Sequence, residues 1–451
     1  MRELLLDAAR RAARYREEVT QRPVVPTQAA LAQLAQLDEP LPAGSTAPEE
    51  VLRLLDEIGS PATLATAGGR FFGFVIGSSL PATVAANWLA TAWDQEGGRE
   101  VAAPISAALE SVCARWLVEL FGLPAGTGAG FLTGATMANF TALAAARHAL
   151  LQREGWDAEG QGLFGAPPIT VIVGDEVHVS VLKALSLLGL GRERVVRIPV
   201  DSQGRMRPEL LPALHGPTII CAQAGHVATG AFDPLAEICA RARPAGAWVH
   251  VDGAFGIWAA AAPQRAYLAR GLGEADSWGT DAHKWLNVPY DSGLVFVRES
   301  QNLRAAMAVS AAYLVPAERR QPDEYTPEMS RRARGVEVWA ALRSLGREGL
   351  ADLIERSCQH AAFFAQGLRR AGYAVLNDVV LNQTLVSFGS DEVTRRVIAG
   401  IQKEGTCWCG GTIFRGRAAM RISVSSWATT RADCERSLAA MLRIAAQESR
   451  P

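Results

Sequence analysis

Between residues 169 and 299 the chain repeats one pattern: a short run of apolar residues, then a helical stretch. The runs are ITVIVGD, RVVRIPV, PTIICAQAG, AWVHVDGAF, ADSWGTD and GLVFVRE. A strand with one face in water alternates apolar with polar residues, whereas an uninterrupted run is covered on both faces. Such runs joined by helices predict a mostly parallel sheet with helices packed on both sides, an α/β domain.

The flanking chain has other patterns. Up to about residue 75 it is helical with a Pro-rich connector, which predicts an N-terminal arm over 1–75. Two amphipathic helices, LPATVAANWLATAWDQ and PISAALESVCARWLVELFG, and a Gly-rich loop opening a third lead into the strands, so the large domain is placed at 76–344. From 345 to 451, helical GLADLIERSCQHAAFFAQGLRRAG and SDEVTRRVIAGIQKEG alternate with strand-like AVLNDVVLNQTLVSF and AAMRISVSSW, predicting a small C-terminal α+β domain. A length of 451 residues accommodates this division.

Charge and composition exclude several roles. With 45 basic against 46 acidic residues there is no general electrostatic attraction for nucleic acid or an anionic membrane. The opening MRELLLDAARRAARYREEV intersperses Arg and Glu at helical spacing, unlike a signal peptide, and no apolar run reaches the roughly 18 residues of a membrane span. A cytoplasmic protein is expected. Its seven cysteines are an odd, scattered set, with only Cys407 and Cys409 close together, so free thiols and no metal site are expected.

Of the 45 basic residues only Lys183, Lys284 and Lys403 are lysines. Arg holds its charge, whereas Lys can lose a proton and add to a carbonyl as an amine. Lys183 and Lys403 fall on ordinary helical stretches, but Lys284 lies in TDAHKWLNVPYDSG, in a loop after one strand and before the next. Ligands of open α/β sheets bind outside the carboxyl ends of the strands. Asp252 ends the run VHVD, and Asp175 and His178 follow VIVG, so three strands deliver polar groups to one rim. In LTGATMANFTALAAAR, the small residues Gly134 and Ala135 and the hydroxyl of Thr136 open a helix, an anion site suited to one phosphate. Taken singly, Asp252 or Thr136 could equally be a helix cap. Together, an amine, a carboxylate, an imidazole and a monophosphate cup are the parts that hold pyridoxal 5'-phosphate.

These residues, in this order, resemble the group II amino-acid decarboxylases, the fold-type I pyridoxal-phosphate enzymes that include the aromatic-amino-acid and glutamate decarboxylases. The similarity runs through RFFGFVIGSSLPATVAANWLATA, GDEVHVSVLKA, AGHVATGAFDP, VHVDGAFG, DAHKWLNVPYDSG and SRRARGVEVWAALRSLG, with Asp252 and Lys284 32 positions apart. It implies a fold-type I large domain with a mostly parallel seven-stranded sheet and an L-amino acid as substrate. It also implies a homodimer with shared sites. Lys284 would form the Schiff base with the cofactor, Asp252 would pair with its ring nitrogen, Ala254 would pack beside the ring and His178 would stack on its other face. Ala135, Thr136 and His283 would bind the phosphate, with Asp281 beside them where some relatives have Asn. The amino acid would lose carbon dioxide to leave a quinonoid that is then protonated. The loop AAYLVPAERRQPDEYTPEMSRR is shorter than the family's catalytic loop; Tyr325 is a better candidate proton donor than Tyr313, and a packing role for it is an equal alternative. His226 could meet the substrate carboxylate, donate a proton or pack on the ring. Phe74, Val75 and Ile76 would line an apolar or aromatic substrate pocket, and Arg421 would lie at its rim. Aldehyde synthesis, transamination, another lyase reaction and a catalytically silent scaffold remain open alternatives.

Overall fold

The computed structural model describes residues 1–309 and 319–448. The six apolar runs become β2 (Thr170–Gly174), β3 (Val196–Ile198), β4 (Thr218–Gln223), β5 (Trp248–Asp252), β6 (Ser277–Asp281) and β7 (Gly293–Val297). A seventh strand, β1 (Gly128–Leu132), precedes them, and the order across the sheet is β1-β7-β6-β5-β4-β2-β3. The pairs β2–β3, β2–β4, β4–β5 and β5–β6 are parallel, while β7 runs against both β6 and β1. The mostly parallel sheet and its seven strands are thus as expected.

Burial explains the unbroken apolar runs. Every residue of β1, β4, β5, β6 and β7 is buried. Each fully buried Val, Ile or Leu contributes on the order of 1.5–3 kcal/mol. The helix Ala135–Arg153 packs on β6 and β7 through Ala138, Ala142, Ala145 and Ala149, whose small side chains allow a close approach. At its start a Cβ on Gly293 would meet the Cα of Gly134 at 2.4 Å. Position 293 therefore excludes any larger residue, and the helix N-terminus is held against the first residue of β7.

The chain divides into two compact units. The larger comprises Ser79–Gln359 with Asn377–Gln383, and the other comprises Met1–Ser78, His360–Leu376 and the chain from Thr384 on. The 1–75 segment, expected as a separate arm, thus shares a unit with the C-terminal chain, and the larger unit runs past the boundary expected at 344. The smaller unit contains the sheet β10-β11-β9-β8, formed by β8 (Ala374–Val375), β9 (Gln383–Ser387), β10 (Gly410–Phe414) and β11 (Arg417–Ser423). Among the described residues no helix is long and apolar enough to cross a membrane. All seven cysteines are buried and free.

Candidate active site

Because β1, β2, β4, β5 and β6 all point the same way, their carboxyl ends form one rim, and the polar residues that follow them meet there. Lys284 lies just past β6, with Nζ 2.9 Å from Asp281 Oδ2. Asp281 is 3% exposed and ends β6. Its other oxygen accepts the Ala135 N–H from the helix N-terminus at 2.5 Å, and His283 Nε2 stands 3.4 Å from it. His283 Nδ1 accepts the Ser292 N–H at 3.1 Å, so in the neutral ring the proton is on Nε2, toward Asp281. Burial holds the His283 pKa below the ordinary histidine value.

A second cluster surrounds Asp252, 5% exposed at the end of β5. Its Oδ2 accepts from Asn139 Nδ2 at 3.0 Å, and its Oδ1 accepts from the Ala254 N–H at 3.1 Å. The Ser180 hydroxyl lies 3.3 Å from Asp252 Oδ2 and 2.7 Å from His178 Nδ1. His178 caps the helix Val179–Leu187, with Nδ1 also accepting the Ser180 N–H. Ala254 joins the two clusters, because its carbonyl accepts the Asp281 N–H at 3.0 Å.

The remaining candidates have different surroundings. His226, after β4, has Nε2 2.9 Å from Glu176 and Nδ1 3.2 Å from the Thr229 hydroxyl. Tyr325 ends a short turn, Pro322–Tyr325; its ring lies under the Arg320 guanidinium at 4.4 Å and packs against the apolar cluster below β7. Arg320 in turn bonds the Ala129 carbonyl and Glu110, so Tyr325 has the contacts of a packing residue on β1. Tyr313 lies outside the described residues. Phe74, Val75, Ile76 and Arg421 belong to the smaller unit. There Phe74 is exposed and stacks on Trp408 at 5.5 Å, while Val75 is buried at φ 85°, a conformation costly for a β-branched residue. The Ile76 carbonyl accepts from Ser425, and burial lowers the Arg421 pKa.

Sequence reasoning missed Asn139, Ser180 and Tyr290. Tyr290 stacks on His283, with ring centroids 4.1 Å apart. It stands in the same TDAHKWLNVPYDSG stretch as Lys284, which was the available signal.

The residues present fit pyridoxal phosphate. An amide N–H at a helix N-terminus, an ammonium and an imidazole converge on one carboxylate, which is the donor set an oxyanion requires. Among the described residues the buried Ser292 hydroxyl beside His283 has no hydrogen-bond partner, leaving a further donor for such a group. Asp252 is a second, separate buried carboxylate, of the kind that would pair with a ring nitrogen.

Comparison with known proteins gives the family. The model of the pyridoxal-dependent decarboxylase conserved domain matches residues 47–390. Tryptophan decarboxylase 1 of Oryza sativa subsp. japonica is 27% identical over 400 residues, covering 80% of this chain and 77% of that protein. The aromatic-L-amino-acid decarboxylase of Bacillus atrophaeus is 28% identical over 324 residues, 69% of this chain and 65% of the relative. The crystal structure of Oryza sativa TDC with PLP and tryptamine superimposes with a TM-score of 0.90 at 23% identity, covering 99% of this chain and 97% of that one. The family model spans the large-domain sheet and both carboxylate clusters, and the chain accordingly belongs to the pyridoxal-dependent decarboxylase family, the pyridoxal-phosphate-dependent carboxy-lyases of fold type I.

Proposed function

We propose that this carboxy-lyase acts on an L-amino acid with an apolar or aromatic side chain and releases the corresponding amine. The observation that carries the reading is the convergence of Lys284, His283 and the Ala135 N–H on the Asp281 carboxylate, with Asp252 held apart by Asn139 and Ala254. When bound, pyridoxal phosphate supplies a conjugated ring that accepts the electron pair left as a bond to the α-carbon breaks.

The chain's own residues prepare that step. Ala135, Thr136 and His283 bind the phosphate, and Asp281 orients His283 and Lys284. Lys284 would provide the amine that holds the cofactor. Asp252, receiving the Asn139 and Ala254 N–H groups, would pair with the ring nitrogen and favour its protonated form. His178 would cover one ring face and Ala254 would pack beside it. His226 enters as a positioning group whose two nitrogens are engaged by Glu176 and Thr229. Tyr325 enters as an anchor of its own segment, in keeping with the Arg320 contact, rather than as a proton donor. The apolar segment Phe74, Val75 and Ile76 supports the preference for an apolar or aromatic substrate, and Arg421 is assigned to the substrate side.

Two further assignments belong to the same reading. The protein is a homodimer, supported by exposed apolar side chains: Leu5 and Leu6 of the helix Arg2–Glu18 are 58% and 46% exposed, and Trp88, Leu89 and Trp93 of the helix Pro81–Trp93 are 45%, 56% and 42% exposed. It works in the cytoplasm, in keeping with seven free, buried thiols.

The test is a screen of the twenty common amino acids with carbon dioxide, ammonia and hydrogen peroxide measured together. Carbon dioxide alone, from an aromatic or aliphatic amino acid, is the expected result. Ammonia and peroxide in equal amounts with it would identify an aldehyde synthase instead, and no carbon dioxide from any of them would overturn the reading.

A further inference from the structure

Behind Asp252 and its donor Asn139 the larger unit holds a line of buried polar side chains, His250, Ser277 and Trp248, to which the reaction as described assigns no role. Asn139, His250 and Ser277 are 0% exposed and Trp248 is 3% exposed. Asn139 Oδ1 is 3.0 Å from His250 Nε2, His250 Nδ1 is 3.0 Å from the Ser277 hydroxyl, and the Trp248 indole N–H donates to that hydroxyl at 2.8 Å. Four polar groups in series, sealed from water, would be costly unless each were satisfied.

The chemistry of the groups sets a single direction along this line. An ionised carboxylate only accepts, so the amide group of Asn139 that faces Asp252 is its NH2, also 3.2 Å from the Ser180 hydroxyl. The amide oxygen then faces His250 and can only accept, so His250 carries its proton on Nε2. A neutral imidazole with Nε2 protonated must accept at Nδ1, so the Ser277 hydroxyl donates there, and its oxygen is left to accept from Trp248. Every hydrogen bond therefore points from Trp248 toward Asp252. Burial favours the neutral ring this requires, lowering the His250 pKa to about 4.

We propose that His250 is a positioning residue for decarboxylation: through Asn139 it fixes the donor that faces Asp252, keeping that carboxylate ionised and the proton on the cofactor's ring nitrogen. His250 touches no reacting atom. Its effect is to lock the Asn139 amide in one orientation, since the flipped amide would set its oxygen against a carboxylate and its NH2 against the Nε2–H of His250. The inference rests on the assignment of Asp252 to the ring nitrogen made above.

The test uses the holoenzyme with ring-15N-labelled pyridoxal phosphate, together with cofactor dissociation constants and thermal melting of the variants Asp252→Ala, His250→Leu, His250→Gln and Ser277→Ala. His250→Leu is expected to weaken cofactor binding on the order of ten-fold, the loss that accompanies one hydrogen bond to a charged group. It should also move the ring-nitrogen resonance toward the unprotonated position. His250→Gln, which retains an N–H donor, restores both. Ser277→Ala moves the resonance the same way with little change in volume, so it decides the matter where His250→Leu does not fold. Nitrogen spectra of the wild-type imidazole should show the Nε2–H tautomer. The Nδ1–H tautomer, or an unmoved ring nitrogen in His250→Leu or Ser277→Ala beside a loosened Asp252→Ala, would overturn the inference alone. An Asp252→Ala variant that binds and protonates the cofactor normally would overturn the assignment of Asp252 as well.

Discussion

Asp252 and Asp281 end neighbouring strands, yet their surroundings give them different work. Asp281 faces a lysine, a histidine and a helix N-terminus, whereas Asp252 faces only neutral donors from Asn139, Ala254 and Ser180. A carboxylate satisfied by neutral donors keeps its charge for whatever cation is brought to it. Asp252→Asn, which keeps shape and removes charge, should therefore lower kcat about 10²-fold, the scale for losing one preorganised electrostatic contact. Steady-state kinetics checks this, with cofactor absorbance showing that the ligand is retained. The same variant with unchanged kcat would remove Asp252 from the reaction.

At the scale of elements, the segment after residue 318 is tied to the sheet by a buried ion-pair group. Glu110 is fully buried and pairs with Arg331, itself sealed from water, and with Arg320; the two arginines also bond the Phe131 and Ala129 carbonyls of β1. Removing one partner leaves an uncompensated buried charge, so Arg331→Met should destabilise the larger unit by about 3–5 kcal/mol. The double variant Glu110→Leu with Arg331→Met should recover part of that loss, as measured by urea unfolding midpoints. This arrangement also shows where sequence reasoning reached its limit. Strands β5 and β6, which carry Asp252 and lead to Lys284, were legible because both faces are buried and their apolar runs are unbroken. Strand β1 was not, because GAGFL has three small residues and resembles a loop. It is a strand only because β7 pairs with it and the Tyr325 backbone fills the space over Gly130. Asn139 and His250 escaped notice for a related reason. Periodicity tells which face of a helix or strand is buried, but not that an inward polar side chain has found partners on another element.

For the whole molecule, the buried neutral His250 links stability to pH. Its pKa falls from 6.5 to about 4 on folding, so the unfolded chain binds the extra proton between those values. Stability from this group is therefore complete above pH 6.5 and is lost as pH falls toward 4, by an amount approaching about 3 kcal/mol. Burial of His283 acts in the same direction. Asp233, raised to about 6 by burial, acts oppositely, favouring the folded state as pH falls from 6 to 3.8. Urea midpoints of wild type and His250→Gln at pH 7 and pH 4.5 isolate the histidine contribution: the gap between them should narrow at the lower pH. Sedimentation at micromolar concentration should give twice the chain mass, and a monomer would remove the second copy from the account of Trp88, Leu89 and Trp93.

The central claim is that Lys284 is the residue that carries the cofactor, and it can be tested chemically on the purified protein. Borohydride reduction followed by peptide mapping should find the pyridoxyl phosphate mass on the peptide containing Lys284, and Lys284→Ala should show no such adduct. An unmodified Lys284 in the reduced holoenzyme, or the adduct on Lys183 or Lys403, would contradict the account.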